Sequence, residues 1–346
     1  VSAMGGMTDQ LLRLTELGSR NEDFEPLLLE LENRLFSTVE ELSKNNSSIG
    51  FLDIWKKDSL DIRNSLLQLR NDPGNQELID TISGYGELWS AKILSDHIDS
   101  KVNGSIKVCC VDSREVITVL SDNFSSDVMW QETQHSWNSI VPIDFVGIVV
   151  MTGFIAKNNK GIQTTLGRNG SDYSAAILAF LTNASRLEIW TDVDGVMSAD
   201  PRCVPNAQIV DRLSYNEAME LAYFGANVIH PQTLQPVIDK NIKVIIRNTF
   251  SPEKPGTLIS ASLGEDNDIK GITAIQNVSL INIEGSGMIG VPGTAEKVFG
   301  LLRNSGLSVI LISQASSEHS ICFAVPSDSA DLAKSLLEEG FEVEIK

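Results

Sequence analysis

Apolar positions fall into two textures along the chain. Over roughly the first hundred residues they recur three or four apart, as at Leu28, Leu31, Leu35, Val39 and Leu42, which predicts a helix with one buried stripe. A second helix is expected over 59–69, and a third starts near Gly84 and carries Leu88, Trp89, Ile93 and Leu94. From about residue 106 the pattern changes to short apolar runs, at 106–111, 146–152, 187–191 and 244–247, with helical segments between some of them. That alternation predicts an α/β layer fold with a mainly parallel sheet. The stretch 251–271 is rich in Pro, Gly and acids, so a domain boundary is expected near 262–270. Beyond it the order is strand 278–284, helix 294–304, strand 307–313, strand 320–325, helix 328–339 and strand 341–345, a βαββαβ ferredoxin-like unit.

Four stretches carry candidate chemistry. In TTLGRNGSDYSAA, residues 164–176, Arg168 stands just ahead of the apolar run 175–181, which reads as a buried helix. Ser171 or Asp172 suits the cap of that helix, since a short oxygen-bearing side chain can accept from its free N–H groups. Gly167 and Gly170 would let the backbone turn sharply and approach a ligand, and a helix N-terminus attracts anions. An ordinary strand-to-helix turn with a surface arginine accounts for the same letters. In EIWTDVDGVMSADPR, residues 188–202, a strand ending at Thr191 delivers Asp192 and Asp194, then Gly195 and Asp200-Pro201-Arg202. Acids at the carboxyl end of a parallel strand stand where α/β folds bind ligands. A calcium loop does not fit, because no third ligand follows Asp194 before the glycine; an acidic turn capped by proline remains an alternative. In SGYGELWSA, residues 83–91, Glu87 opens a helix, where an acid is favourable in any case. The opening VSAMGGMTDQLL passes from strand residues through Ser2, Gly5, Gly6 and Thr8 into a helix. A fifth stretch, 285–290, spells the dinucleotide fingerprint, but Pro292 and Gly293 separate its last glycine from the helix and no acid ends the next strand.

The totals narrow the choices. A chain of 346 residues, 42% of them hydrophobic, can bury a sizeable core in two or three domains. A formal charge of −19 argues against broad nucleic-acid or anionic-membrane binding, so an anionic ligand would need a local site. Cys109, Cys110, Cys203 and Cys322 lack metal or redox spacing and indicate free thiols in a reducing compartment, a cytoplasm or, for a plant, a plastid. No apolar run is long enough to span a bilayer, and a soluble chain is expected. No metal site is expected from the sequence.

Taken in order, these four stretches, together with AYFGANVIHPQTLQP at 222–236, resemble the aspartate kinase branch of the amino-acid kinase family over almost the whole chain. GRNGSDYSAA, EIWTDVDGV and EAMELAYFGANVIHP are most similar to bifunctional aspartokinase–homoserine dehydrogenases, and LISQASSEHSICFAVP is similar to their ACT regulatory repeat. The resemblance implies an α/β/α sandwich at 1–265 that phosphorylates the side-chain carboxylate of L-aspartate with ATP and Mg²⁺. This is the first step toward lysine, threonine and methionine. It also implies an ACT domain at 272–346. Arg168 would clamp the substrate α-carboxylate and Asp172 would orient its amine or a catalytic lysine. Thr8, Glu87 and Ser171 would complete the substrate site. Ser2, Thr191, Asp192, Asp194, Met197 and Arg202 would lie on the ATP side, with Mg²⁺ held mostly by phosphate oxygens. Gln314 would contact an amino-acid effector, threonine by resemblance, and ACT units would pair edge to edge into a homo-oligomer.

Departures from the family pattern set further expectations. The family opens with a strand carrying Lys-Phe-Gly-Gly-Thr-Ser, which would precede Val1. Met197 stands where tyrosine is usual, and Phe250 where monofunctional relatives carry lysine. Strand 272–276 would belong to a second, absent ACT repeat. The chain is therefore expected to be an internal piece of a larger polypeptide with little kinase activity alone. Another kinase of the same fold, for acetylglutamate or uridylate, and a non-catalytic amino-acid-binding subunit are the alternatives.

Overall fold

The computed structural model describes residues 1–42, 48–122, 125–225, 228–261, 269–284, 292–314 and 320–341. These fall into two compact units, Val1–Ile272 and Thr273–Lys346.

The first unit opens with five helices, α1 (Met7–Ser19), α2 (Glu25–Leu42), α3 (Ser48–Leu69), α4 (Gln76–Ser83) and α5 (Tyr85–Val102). Their apolar stripes close on one another, burying Leu11, Leu14, Leu31, Leu35, Leu66 and Trp89 in one cluster. The predicted stripe on α2 stops at Val39, because Leu42 sits at the helix end and is exposed. The layered part follows: β1 (Lys107–Val111), α6 (Ser113–Val116), β2 (Thr118–Asp122), β3 (Ser125–Val128), α7 (Trp130–Ile140), β4 (Gly147–Met151), β5 (Ile155–Asn158), β6 (Gln163–Thr165), α8 (Gly170–Leu181), β7 (Arg186–Thr191), β8 (Arg212–Ser214), α9 (Tyr215–Tyr223), α10 (Pro231–Asp239), β9 (Lys243–Asn248) and β10 (Thr257–Ser260). The apolar runs pair in parallel, β1 with β4 and β7 with β9, as their near-continuous hydrophobicity predicts. Antiparallel pairs extend the sheets, β10 beside β9 and β6 beside β5.

Helix α8 shows why a segment apolar on nearly every side must be interior. Ala176 and Ala179 pack into the cluster of Leu187, Ile189, Val244 and Ile246. Tyr173, Ile177 and Leu181 pack into a second cluster with Val111 and Met151. Its first residue, Gly170, lies so close to Phe154 that a Cβ there would come within 2.8 Å of the ring. Held on both flanks, α8 has one place for its N-terminus.

The second unit comprises β11 (Val278–Glu284), α11 (Thr294–Asn304), β12 (Leu311–Gln314), β13 (Ser320–Pro326) and α12 (Ala330–Phe341). The strands form an antiparallel sheet in the order β11-β13-β12, and Ile281, Ile283, Phe323, Val298, Leu302 and Leu337 share its core with the helices.

Several expectations change. Residues 272–276 form no strand: the Ile272 amide donates to the Ser198 carbonyl at 2.8 Å, which ties the segment to a loop instead of a sheet edge. The expected strand 307–313 starts only at Leu311, although the Ile310 amide already bonds to Ala324. Phe341 closes α12 instead of opening a strand, and 342–346, like the fingerprint look-alike at 285–290, lie outside the described residues.

Candidate active site

The loop between β6 and α8 carries the first group. Gly167 has φ +74° and Asn169 φ +54°, both left-handed, and the Gly170 amide closes the turn on the Gly167 carbonyl at 3.0 Å. Asn169, not Ser171 or Asp172, is the N-cap, because asparagine tolerates this backbone region and the helix therefore begins at Gly170. Ser171 and Asp172 lie in the first helical turn. Burial raises the Asp172 carboxyl above the usual range, while the Asn169 side chain hydrogen-bonds it and pulls the other way. Arg168 is exposed and makes no ion pair among the described residues. Its charge is felt by His230, which burial first, and then Arg168, hold below the ordinary imidazole value. His230 caps α10 by accepting from the Gln232 amide at 3.2 Å.

Residues 1–3 join this loop to Glu87. The Val1 nitrogen donates to the Met151 carbonyl and the Gly153 amide to the Val1 carbonyl, each at 2.8 Å, a parallel extended pairing that continues β4. A Cβ on Gly153 would stand 2.9 Å from the Ser171 hydroxyl and from the Val1 carbonyl, so only glycine lets these segments meet. The Ala3 amide donates to Glu87 Oε1 at 3.4 Å. Glu87 is 3% exposed, its Oε2 has no hydrogen-bond partner among the described residues, and burial pushes its carboxyl up to about 7. Phe154, beside Gly153, is held at φ +64°, a costly conformation for a bulky residue and one that clusters at functional sites. Residues 1–3 thus link Glu87 to Ser171 in the first turn of α8, with Asp172 beside it in that turn and Arg168 on the adjoining loop. Ser2 is exposed within residues 1–3, and Thr8 lies half-buried in the first turn of α1.

The second group stands at the C-terminal ends of β7 and β9. Thr191 pairs with Asn248 in register, and its hydroxyl donates to Asp192 at 3.2 Å. Asp194 accepts from Lys254 Nζ at 2.6 Å and Asn248 Nδ2 at 2.7 Å. The hydrogen bond from Lys254, then that from Asn248, hold its carboxyl below the usual value. Met197 bridges to Ile209 in an isolated antiparallel pair. Arg202 folds back onto Asp200, donating at 2.8 Å. Among the described residues no hydrogen bond or ion pair joins this group to the Arg168 loop, and no cluster of three or more His, Cys, Asp or Glu could hold a metal ion.

The profile of the amino acid kinase family matches residues 1–248, and that of the ACT domain residues 281–341. Lysine-sensitive aspartokinase 3 of Escherichia coli is 31% identical over 314 residues, covering 90% of this chain and 68% of that protein. The chain belongs to the amino acid kinase family, on its aspartokinase branch. Bifunctional aspartokinase/homoserine dehydrogenase 1 of Zea mays, a chloroplastic protein, is 39% identical over 353 residues, 99% of this chain and 38% of that protein. The chain thus spans well under half the length of such bifunctional relatives. The crystal structure of E. coli aspartokinase III in complex with lysine and aspartate superposes with a TM-score of 0.70 at 28% identity, covering all of this chain and 76% of that one.

In this aspartokinase-branch chain, sequence reasoning missed Asn248, Lys254 and His230 as neighbours of the site. Asn248 was reachable by the strand-end rule that picked out Asp192, since it ends the parallel neighbour. Lys254 sits in a Pro- and Gly-rich loop with no local signal, 60 residues from its partner Asp194. No helix among the described residues is long and apolar enough to cross a membrane, and all four cysteines are free.

Proposed function

We propose that this chain is the kinase region, residues 1–265, and first ACT region, residues 272–346, of an aspartokinase fused to homoserine dehydrogenase. The observation that carries the reading is a buried acid with one oxygen unpartnered among the described residues, linked through residues 1–3 and Gly153 to the start of α8, just after an exposed arginine that makes no ion pair among those residues. Glu87 Oε2 lacks a donor, and a substrate ammonium supplies one. Arg168 offers a planar fork to the α-carboxylate. Together they hold an amino acid by its two backbone charges, leaving its side-chain carboxylate free to react. Ser171 and Thr8 are the remaining polar groups of this substrate end.

In the reaction an oxygen of the aspartate side chain attacks the γ-phosphorus of ATP. The new O–P bond forms as the bond to the β-phosphate oxygen breaks, giving an acyl phosphate and ADP, with no covalent enzyme intermediate. Asp172, at the positive end of α8, orients a cationic partner beside the reacting groups. Ser2, Thr191, Asp192, Asp194, Met197 and Arg202 form the ATP end. A dedicated protein cage for Mg²⁺ is not built from the described residues. A magnesium ion carried mainly by phosphate oxygens fits this donor set. When bound it neutralises phosphate charge.

We further read Gln314 as an effector contact. It ends β12, an edge strand whose Leu311 and Ile312 are exposed. An amide that both donates and accepts suits an amino-acid head group, threonine being the expected ligand, and the uncovered edge suits pairing with a second ACT unit.

Hydroxylamine trapping in the full-length protein tests the activity. Aspartyl hydroxamate should form with aspartate and ATP, and none with N-acetylglutamate; its absence with aspartate would remove the kinase reading in favour of a binding subunit. In the same assay Gln314→Ala should shift threonine inhibition to higher concentration, with the uninhibited rate within about twofold. An unchanged midpoint would take Gln314 out of the effector site.

A further inference from the structure

A half-buried polar clamp joins the two segments that lead to Glu87 and Arg168. Gln163, the first residue of β6, donates from Nε2 to the main-chain carbonyls of Asp80, at 2.9 Å, and Thr81, at 3.3 Å. Its Oε1 accepts from Arg114 Nη1, and the Arg114 guanidinium is itself held by Asp112 through Nε and Nη2. In return the Asp80 carboxyl, 9% exposed, accepts from Thr164 Oγ1 at 3.2 Å, from Gln76 Nε2 at 2.7 Å and from the Thr165 backbone. The end of α4 and the strand β6 are therefore stitched in both directions, side chain to main chain each way.

The fit leaves no slack. A Cβ on Gly84 would lie 2.4 Å from Gln163 Nε2 and 2.7 Å from an Ile155 methyl, so the α4–α5 junction passes directly over the glutamine. From the junction at Gly84 the chain runs three residues to Glu87, and from Thr165 three residues to Arg168. Each run is constrained at its start. The α5 run is helical from Tyr85, and the β6 run is pinned by the Leu166 amide donating to the Phe154 carbonyl at 2.7 Å.

We propose that Gln163 and Asp80 are positioning residues that set the separation of Glu87 and Arg168, and hence the affinity for an amino-acid substrate gripped at both its ammonium and its α-carboxylate. This rests on the reading of Glu87 and Arg168 as the two ends of the substrate site. Neither clamp residue touches substrate. Each acts by tying the segment that leads into α5 and Glu87 to the strand that leads to Arg168. Buried polar networks specify geometry in this way because every unmade bond inside them is costly.

The test uses the full-length protein, with KM for aspartate, KM for ATP and kcat measured together. Gln163→Leu and Asp80→Ala should each raise KM for aspartate about tenfold, the effect of leaving one buried polar partner unsatisfied. KM for ATP should stay within about twofold, because the clamp lies on the amino-acid side. Thr164→Val keeps shape and charge and removes one bond to Asp80. It should give a smaller shift of the same kind, and it serves where the larger changes prevent folding. Gln163→Leu made in an Arg168→Ala background should add little, since a clamp that acts through Arg168 has nothing left to position. If the clamp variants fold and leave KM for aspartate unchanged, or raise both KM values in parallel, the positioning role is wrong. Arg168→Ala alone separates the two readings. If it raises KM while the clamp variants do not, only the clamp fails; if it leaves KM unchanged, the substrate-site reading fails and the clamp with it.

Discussion

The two ends of the proposed site, an amino-acid end and a nucleotide end, treat their carboxylates in opposite ways. On the amino-acid side Glu87 is buried, one of its oxygens has no donor among the described residues, and burial pushes its carboxyl up to about 7. On the nucleotide side Asp194 is met by a lysine and an asparagine, and its carboxyl is held low. Both stand beside a strand end or a helix start, where an acid is unremarkable. The difference is what surrounds them. Burial disfavours the charged form of Glu87, while donors in an open setting favour that of Asp194. An acid destabilised by its surroundings is waiting for a cation, whereas one already paired is shaping a loop.

The largest expected effect tests whether the α8 end is where chemistry happens. Asp172→Asn should lower kcat about 10²-fold, the scale of losing one preorganised electrostatic group beside transferring charge, with KM for aspartate changed far less. Arg168→Ala comes next. It removes charge-assisted hydrogen bonds to the substrate, so KM for aspartate should rise about 10- to 100-fold, more than kcat falls.

Glu87 sharpens the contrast through pH. Its folded value lies above its unfolded one, so between the ordinary carboxyl range and about 7 the folded chain holds an extra proton. The stability this group contributes is present at low pH and is lost as pH rises through about 7. Substrate binding runs the other way, because the ammonium needs the ionised acid: KM for aspartate should fall as pH rises through the same window. Glu87→Gln should abolish that pH dependence and keep KM high, yet raise the Tm at pH 8 by roughly 2–4 °C by removing a buried charge. A Tm loss at pH 8 would mean that the carboxylate is satisfied in the folded state. The smallest effect belongs to Lys254. Lys254→Met releases an exposed partner, so Tm should not move, KM for ATP should rise about two- to fivefold, and KM for aspartate should stay put. A change in KM for aspartate would erase the distinction between the two ends.

The sequence by itself determined whatever depends on neighbours along the chain. The stripe at Leu28, Leu31, Leu35 and Val39, the parallel strands and strand 278–284 follow from periodicity, which the backbone imposes within a few residues. The family also was legible, because long motifs such as GRNGSDYSAA carry it residue by residue. Tertiary structure decided everything that needed a distant partner or a measure of water. Asn169 displaced the expected caps because the turn from Gly167 forces it into the left-handed region. Residues 272–276 form no strand, and the Ile272 amide bonds to Ser198 instead of to a sheet partner. Glu87 reads as any helix-opening acid until α1 and residues 1–3 close over it. Gln163 meets the Asp80 carbonyl across 83 positions, with nothing local to announce it. Hydrogen-bond partners and desolvation are properties of the packed chain, and the raised carboxyl of Glu87 and the approach of α4 to β6 therefore exist only once the fold has formed.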